Sequence, residues 1–325
     1  MKTIGVLTSG GDAPGMNAAV RAVVRSGVSK GLKVMGIRRG FNGLIHGDIF
    51  EMNLRSVSNT IQRGGTMLYT ARCPEFRTQE GIQKAADTCK YFGIEGIVVI
   101  GGDGSFRGAK DLSAAGIPCV GIPGTIDNDI ACCDKTIGYD TAMNTIISMV
   151  DKIRDTSESH DRCSVVEVMG RRAGYLALNA GIAVGATSIL IPEMEFDFER
   201  DVISRIKRTQ TTGKRDFIIM VAEGVVLDNK MSIEEMTKKI EEETGVETRH
   251  TVLGHVQRGG SPSAYDRVLG SKMGYRAVEL LEQGEGSRVV AIKKEEIVDY
   301  DIVEALDMKK EINPRIYQMA YDISI

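Results

Sequence analysis

Ile97-Val-Val-Ile-Gly-Gly-Asp-Gly104 and Cys119-Val-Gly-Ile-Pro-Gly-Thr-Ile-Asp-Asn-Asp129 decide the fold. In each, a short apolar run rich in β-branched residues breaks into an acidic turn flanked by glycines. Such runs read as strands buried on both faces, as in parallel sheets. Open α/β sheets hold their ligands beyond the carboxyl ends of the strands. The two turns therefore place Asp103, Asp127 and Asp129 at one rim, with glycines that let a ligand approach the backbone. Three carboxylates beside bare backbone suit a metal–phosphate complex and a proton acceptor.

Working outward, further strand-like runs fall at 4–7, 34–37, 164–168, 188–191, 217–221 and 289–292. Helical spacing occupies 17–31, 79–92, 105–115, 139–156, 199–212, 232–244 and 264–283. Gly31 stands where a helix would end on a C-terminal glycine. This alternation predicts an α/β protein with parallel sheets covered by helices on both faces. The stretch 156–162, rich in Ser, Asp and His, reads as the least ordered part. It is either a mobile functional loop or a solvated connection, and its composition favours the second.

A chain of 325 residues is long enough for two domains or one large one. The formal net charge of -3, with no block of one sign, gives no basic field to collect nucleic acid. Trp is absent and aromatics are few, which argues against a base-stacking surface. None of the six cysteines forms a C-x-x-C pair, so zinc-ribbon and thioredoxin readings fail. Cysteines set in strand and helix patterns fit a reducing, cytoplasmic setting. The run at 4–7 follows the first residues directly, so no signal peptide is expected, and no apolar run has the length of a membrane span.

A third turn, Thr8-Ser-Gly-Gly-Asp-Ala-Pro-Gly-Met-Asn17, joins the first strand to a helix N-terminus, where free amides and the helix dipole attract phosphate. Gly10 and Gly15 have the P-loop spacing, but Met16 and Asn17 replace its Lys and Ser/Thr. Gly11 at the tip can offer its N–H to a terminal phosphate. The plain alternative is a tight turn without a ligand. Ser105 reads as the cap of the helix that follows Gly101–Gly104, and Asp127-Asn-Asp129 alone is also compatible with an Asx-rich turn.

With these turns stand Ile61-Gln-Arg-Gly-Gly-Thr66, Val165-Val-Glu-Val-Met-Gly-Arg171 and Thr251-Val-Leu-Gly-His-Val-Gln-Arg-Gly-Gly-Ser-Pro262. In this order, over nearly the whole length, the chain resembles the bacterial 6-phosphofructokinase family. The resemblance implies two Rossmann-like lobes, each a mainly parallel sheet covered by helices: 1–138 plus 256–303 for ATP, and 139–255 plus 304–325 for fructose 6-phosphate. It implies that the sugar's 1-hydroxyl attacks the γ-phosphate of ATP, with Asp127 taking the proton, Asp129 assisting and Asp103 holding Mg²⁺. Gly11, Arg72 and Thr125 would contact the nucleotide's phosphates and Arg171 the transferring group. Cys73, Gly102, Gly104 and Ser105 would complete the nucleotide side, with Phe41, Phe76, Arg77 and Gly108 as walls for the nucleoside. The sugar phosphate would fall to Arg162, Arg249, His255 and Arg258, its hydroxyls to Glu223, and Ile126, Met169, Gly170, Val256 and Gln257 would line the same pocket. Without the resemblance, Arg162 and Arg249 read as surface residues and His255 as a core histidine.

In the family Arg162 and Arg249 reach in from a neighbouring subunit, which implies an oligomer, expected to be a homotetramer. ATP-dependent members resemble this chain in having glycine at 104 and 124, where pyrophosphate-dependent relatives carry Asp and Lys. An effector site for ADP and phosphoenolpyruvate is matched at Arg21, Arg25, Arg154 and approximately at Ser58, Asn59, Gly185, Lys214 and Arg215, with Arg55 beside the expected position. Leu54, Thr187, Thr212 and Asp216 depart from it, so weak or altered control is expected. Among rivals, a lipid or NAD kinase leaves Arg162, Arg249, His255 and Arg258 without a role. A non-catalytic sugar-phosphate-binding subunit would be expected to have lost Asp103, Asp127 or Asp129, and a Rossmann dehydrogenase lacks its fingerprint.

Overall fold

Eleven strands order the described residues, 1–228 and 231–324, of the computed structural model. They are β1 (Thr3–Thr8), β2 (Lys33–Ile37), β3 (Ile49–Met52), β4 (Gly96–Gly101), β5 (Cys119–Pro123), β6 (Cys163–Val168), β7 (Ser188–Leu190), β8 (Phe217–Ala222), β9 (Thr248–Val252), β10 (Arg288–Lys293) and β11 (Glu296–Asp301). The chain divides into two units. The first is Met1–Ile126, Ile130–Thr141 and Arg258–Lys310; the second is Asp127–Asp129, Ala142–Gln257 and Glu311–Ile325. Ile325, the last residue of the expected segment 304–325, lies outside the described residues.

The first unit holds a seven-stranded sheet in the order β11-β10-β5-β4-β1-β2-β3. Its centre is parallel and fully buried: Ile4, Val6, Ile97–Ile100, Val120 and Ile122 have no exposed surface. β3 and β11 are antiparallel edges. Strand order reverses between β1 and β4, the kind of switch point at whose carboxyl ends open α/β sheets bind their ligands. Helices Met16–Ser29 and Ala264–Glu282 pack on each other closely enough that a Cβ at Gly270 would stand 2.9 Å from the Gly15 carbonyl oxygen. Gly31 follows the first of these helices at φ 78°, the left-handed geometry that ends a helix.

The second unit holds a four-stranded parallel sheet, β7-β8-β6-β9. Cys163, Val165, Phe217, Ile219 and Val221 form one face of its core with Val202, Ile206, Met236 and Ile240. A side chain such as Phe217, fully buried here, contributes about 1.5–3 kcal/mol. Burial pushes the Cys163 thiol here, and those of Cys119 and Cys132 in the first unit, up to about 12, so they act as packing groups.

The structure departs from the sequence reading at several points, among them the unanticipated helices Gly40–His46, Tyr175–Ala183 and Pro314–Ile323. β3, β9 and β11 were not anticipated: they are edge strands whose solvent side carries Glu51, Arg249, His250 and Glu296, which hides the apolar pattern. The first four residues of the stretch 156–162 are helical, because the helix Tyr139–Ser159 runs on into it. There Ser157 and Ser159 hydroxyls donate to the Ile153 and Asp155 carbonyls, and Ser157 lies buried against Ser164 at 2.7 Å. Finally, the helix Asp103–Ala114 begins at Gly102 without a side-chain cap, so Ser105 does not serve as one.

Candidate active site

In the first unit three turns leave the carboxyl ends of the adjacent strands β1, β4 and β5. The first is fixed by glycines at φ 84° (Gly10) and 109° (Gly15), conformations that L side chains rarely adopt. A Cβ on Gly11 would run into the guanidinium of Arg258, whose Nη1 donates to the Asp12 carbonyl at 3.2 Å. The Thr70 hydroxyl donates to the Gly10 carbonyl at 2.6 Å, which ties the segment carrying exposed Arg72 and half-buried Cys73 to the same turn. Asn17 has a structural duty. Its amide donates to the Arg63 and Gly64 carbonyls and its oxygen accepts from the Met67 N–H.

The second turn packs tightly at Gly101, where a Cβ would sit 2.5 Å from both Ser105 Oγ and the Ser9 carbonyl oxygen. Gly104 is the opposite case, since a Cβ there meets no atom of the described residues within 4 Å. Asp103 starts the helix, where a carboxylate is favoured by the helix dipole. It is half-exposed and accepts from Arg107 Nε at 2.9 Å. Phe41 and Phe76 stack at 4.1 Å beneath Gly108, almost fully buried, while Arg77 is exposed. The third turn is held by its own return. Thr125 N–H donates to the Ile137 carbonyl (3.1 Å), Ile137 N–H to the Pro123 carbonyl (3.0 Å) and the Thr136 hydroxyl to the Thr125 carbonyl (2.6 Å). Gly124 is bare for packing: its Cβ would stand 2.9 Å from Met16 Cε and 3.2 Å from Ile100 Cγ2.

In the second unit the Asp127-Asn-Asp129 turn sets its two carboxylates in different surroundings. Asn128 takes φ 54°, which Asn tolerates better than most residues. Asp127 is buried (2 % exposed) and Asp129 is exposed. Arg171 Nε lies 3.6 Å from Asp127 Oδ2, with most of its own side chain in solvent. Arg171 follows β6 in a turn with φ 138° at Gly170 and 54° at Arg171. Glu223, at the end of β8, fixes that turn through Oε1, which accepts from the Gly170 and Arg171 N–H groups at 3.2 and 2.5 Å. Gln257, with no exposed surface, accepts from the Met169 N–H at 3.1 Å and donates to the Gly254 carbonyl at 3.0 Å. His255 and Val256 are exposed, so His255 is not a core histidine.

Arg162 and Arg249 meet on one carboxylate, Glu247 Oε1, at 2.9 and 2.6 Å. The hydrogen bond from Arg162 holds that carboxyl below its ordinary range. Both arginines sit at the amino end of the sheet, since Cys163 pairs with Thr248 and Ser164 with Arg249. Seven residue steps of extended chain lead from Arg162 to Met169, about 23 Å at roughly 3.3 Å per step. Within one copy of the chain they therefore stand apart from the Asp127–Arg171 pair.

The remaining expected residues form two groups. In the first unit, Arg21 and Arg25 lie one helical turn apart, and burial followed by the charge of Arg25 pushes Arg21 down. Arg55, Ser58 and Asn59 are exposed. In the second unit, Arg154 pairs with Asp216 at 3.6 Å and also donates to the Val184 carbonyl. Gly185 has φ 60°, Thr187 is buried with its hydroxyl lacking a hydrogen-bond partner among the described residues, and Arg215 pairs with Asp161 at 3.5 Å beside half-buried Lys214.

Among the described residues no three His, Cys, Asp or Glu side chains gather as a metal cage. Mg²⁺ arriving with a nucleotide needs only one or two carboxylates, with phosphates and water completing its shell, and the accessible carboxylate of Asp103 suits that requirement.

A family model described as Phosphofructokinase matches residues 3–281. An ATP-dependent 6-phosphofructokinase of Clostridium botulinum is 58% identical over 324 residues, covering 100% of both chains. Another, from Bacillus velezensis, is 58% identical over 325 residues with the same coverage. Among solved structures, phosphofructokinase from Saccharomyces cerevisiae superimposes with a TM-score of 0.89 at 36% identity, over 100% of this chain and 48% of the yeast chain. With the matched turns and strands, these likenesses make the chain a member of the phosphofructokinase family.

Proposed function

We propose that the chain transfers the γ-phosphate of ATP to the 1-hydroxyl of D-fructose 6-phosphate, giving fructose 1,6-bisphosphate and ADP in the committed step of glycolysis. The reading rests on full-length likeness to ATP-dependent 6-phosphofructokinases. The observation that carries its chemistry is the buried carboxylate of Asp127 beside the solvent-reaching guanidinium of Arg171. Asp127 accepts the hydroxyl proton as the sugar oxygen bonds to the γ-phosphorus and the bond to the bridging oxygen of ADP breaks. Arg171 spreads the charge of the transferring group, and Asp129 assists. Catalysis here is positioning and charge neutralisation more than covalent help. Mg²⁺ supplies charge neutralisation on the phosphates when bound, with Asp103 as its protein ligand.

Gly11, Arg72 and Thr125 hold nucleotide phosphates, and the first-unit residues Cys73, Gly102, Gly104 and Ser105 complete that side. Open space at Gly104 favours a nucleotide over pyrophosphate. The packing found at Gly124 explains that glycine without reference to the donor. Glu223 and Gln257 hold the Met169–Arg171 backbone against the sugar, with His255, Val256 and Arg258 on the substrate, while Ile126, which has no exposed surface, is a packing residue of its turn. A second copy supplies Arg162 and Arg249, so we expect a homotetramer with shared sites. Nucleotide binding falls to 1–138 plus 256–303 and sugar-phosphate binding to 139–255 plus 304–325. We keep the cytoplasm as the compartment, in line with six cysteines that are all free thiols, five of them buried.

Control by ADP and phosphoenolpyruvate is weak or altered, because Asp216 already neutralises Arg154 and Thr187 offers a hydroxyl where relatives have a carboxylate. Titrating both effectors at sub-saturating sugar phosphate tests this, and strong responses to both would overturn it. The activity itself is tested by phosphorus NMR of the product. A new phosphate on carbon 1 is expected, and a phosphate elsewhere, or unchanged hexose phosphate, contradicts the assignment.

A further inference from the structure

Asp266 is a buried acid with no part in the chemistry described so far, yet it joins two of the phosphate-side turns. Ser263-Ala-Tyr-Asp266 has the spacing of a capping box at the start of the helix Ala264–Glu282. In a complete box the fourth residue's carboxylate returns to the N–H of the first. Ser232 and Glu235 do this elsewhere in the chain, where Glu235 Oε2 accepts from Ser232 N–H at 2.8 Å. At Ser263 only half of the box forms: its hydroxyl accepts from the Asp266 N–H at 3.2 Å. The Ser263 N–H instead donates to the Thr141 hydroxyl at 2.9 Å, and the Asp266 carboxylate turns away.

That carboxylate has no exposed surface. Its Oδ1 accepts from the Gly138 N–H at 2.8 Å, and its Oδ2 accepts from the Thr141 N–H at 2.8 Å and the Thr141 hydroxyl at 2.5 Å. Gly138 follows Thr136 and Ile137, the two residues that fix Thr125. On its other side Asp266 lies under the first turn, where a Cβ on Gly15 would come within 3.2 Å of Asp266 Cβ and 3.3 Å of its carbonyl oxygen. One side chain thus references the turn after β1 and the Thr136–Gly138 segment that holds the turn after β5. Three charge-assisted hydrogen bonds make a stiff link, because a buried donor left unpaired is costly.

We infer that Asp266 is a positioning residue for phosphoryl transfer, setting the register of the Gly10–Gly15 turn against the Gly124–Ile126 segment that leads into Asp127. The inference rests on the reading that this segment carries the chemistry. Asp266→Ala and Asp266→Asn should lower kcat by about 100-fold and about 10-fold, with KM for ATP and fructose 6-phosphate changed less than about 3-fold, since misplacement acts on the transition state. Asn should lose less than Ala because it retains one acceptor. Leu269→Ala, a buried apolar change on the same helix, serves as the destabilised control and should keep kcat at a temperature where it is folded. A folded Asp266→Ala with normal kcat, or a loss no greater than that of Leu269→Ala, overturns the inference. If neither Asp266 variant folds, Thr141→Val decides: a several-fold fall in kcat supports the link and an unchanged kcat refutes it. Asp127→Ser is assayed in parallel. An active Asp127→Ser would discard the reading of the segment, whereas an inactive one beside a normal Asp266→Ala would discard only the positioning role.

Discussion

Replacing Asp127 by Ser, or by the isosteric Asn, separates chemistry from architecture. Two charges 3.6 Å apart attract by about 1 kcal/mol in water and about 5 kcal/mol at an effective dielectric constant near 20. Because 69% of the Arg171 side chain is solvated, the lower figure applies, and screening reduces it to at most about 1 kcal/mol. Removing the carboxylate also relieves the cost of burying a charge, which offsets part of that loss. The melting temperature should therefore stay within about 3 °C of the parent. Turnover should fall by about 10²- to 10⁴-fold, the usual contribution of a general base, while KM for fructose 6-phosphate stays within about 3-fold. Initial rates of ADP release at saturating ATP, with thermal unfolding of the same preparations, give both quantities. Turnover within tenfold of the parent would remove Asp127 from the role. An equal change in KM would make it a binding group instead.

Three further outcomes follow from the geometry. Mixing inactive Asp127→Ser with Arg162→Ser after reversible dissociation should restore part of the activity, since hybrid oligomers would contain sites with both native groups; no recovery would mean that each site belongs to one copy. Gly104→Asp should leave stability unchanged or slightly raised, because its space is empty and a carboxylate suits a helix N-terminus, yet raise KM for ATP about tenfold or more by closing the nucleotide's path; an unchanged KM would move that path elsewhere. Burial pushes the Asp266 carboxyl up to about 6, with Thr141 and Gly138 pulling the other way. The native state then binds the extra proton between about pH 4 and 6, so stability falls as pH rises through that window, by up to about 3 kcal/mol. The stability gap between the parent and Asp266→Asn should narrow over the same range in denaturant titrations; a constant gap would mean that Asp266 titrates at its ordinary value.

The central strands were legible because apolar residues without alternation leave few other readings, and the turns after β1, β4 and β5 follow from their glycines and acids. The edges were harder: Arg249 and His250 on β9, or Glu296 and Asp299 on β11, look like loop residues until a neighbour supplies the ladder. The proposed site residues split in the same way. Asp103, Asp127 and Arg171 announce themselves by motif, whereas the duties of Asn17 and Gln257, which fasten distant backbone, depend on long-range contacts. Asp266 left one local trace, the Ser-x-x-Asp spacing, and that trace misleads because the carboxylate is diverted to a segment more than a hundred residues earlier. Glycine shows the same limit. Positions 104 and 124 look alike in sequence, but one faces open space and the other packs against Met16 and Ile100.

The central claim is that this chain phosphorylates fructose 6-phosphate from ATP, and a donor comparison tests it most directly. Purified protein with Mg²⁺ and fructose 6-phosphate should form fructose 1,6-bisphosphate with ATP and show no comparable rate with pyrophosphate. A faster reaction with pyrophosphate, or none with ATP, would contradict the account.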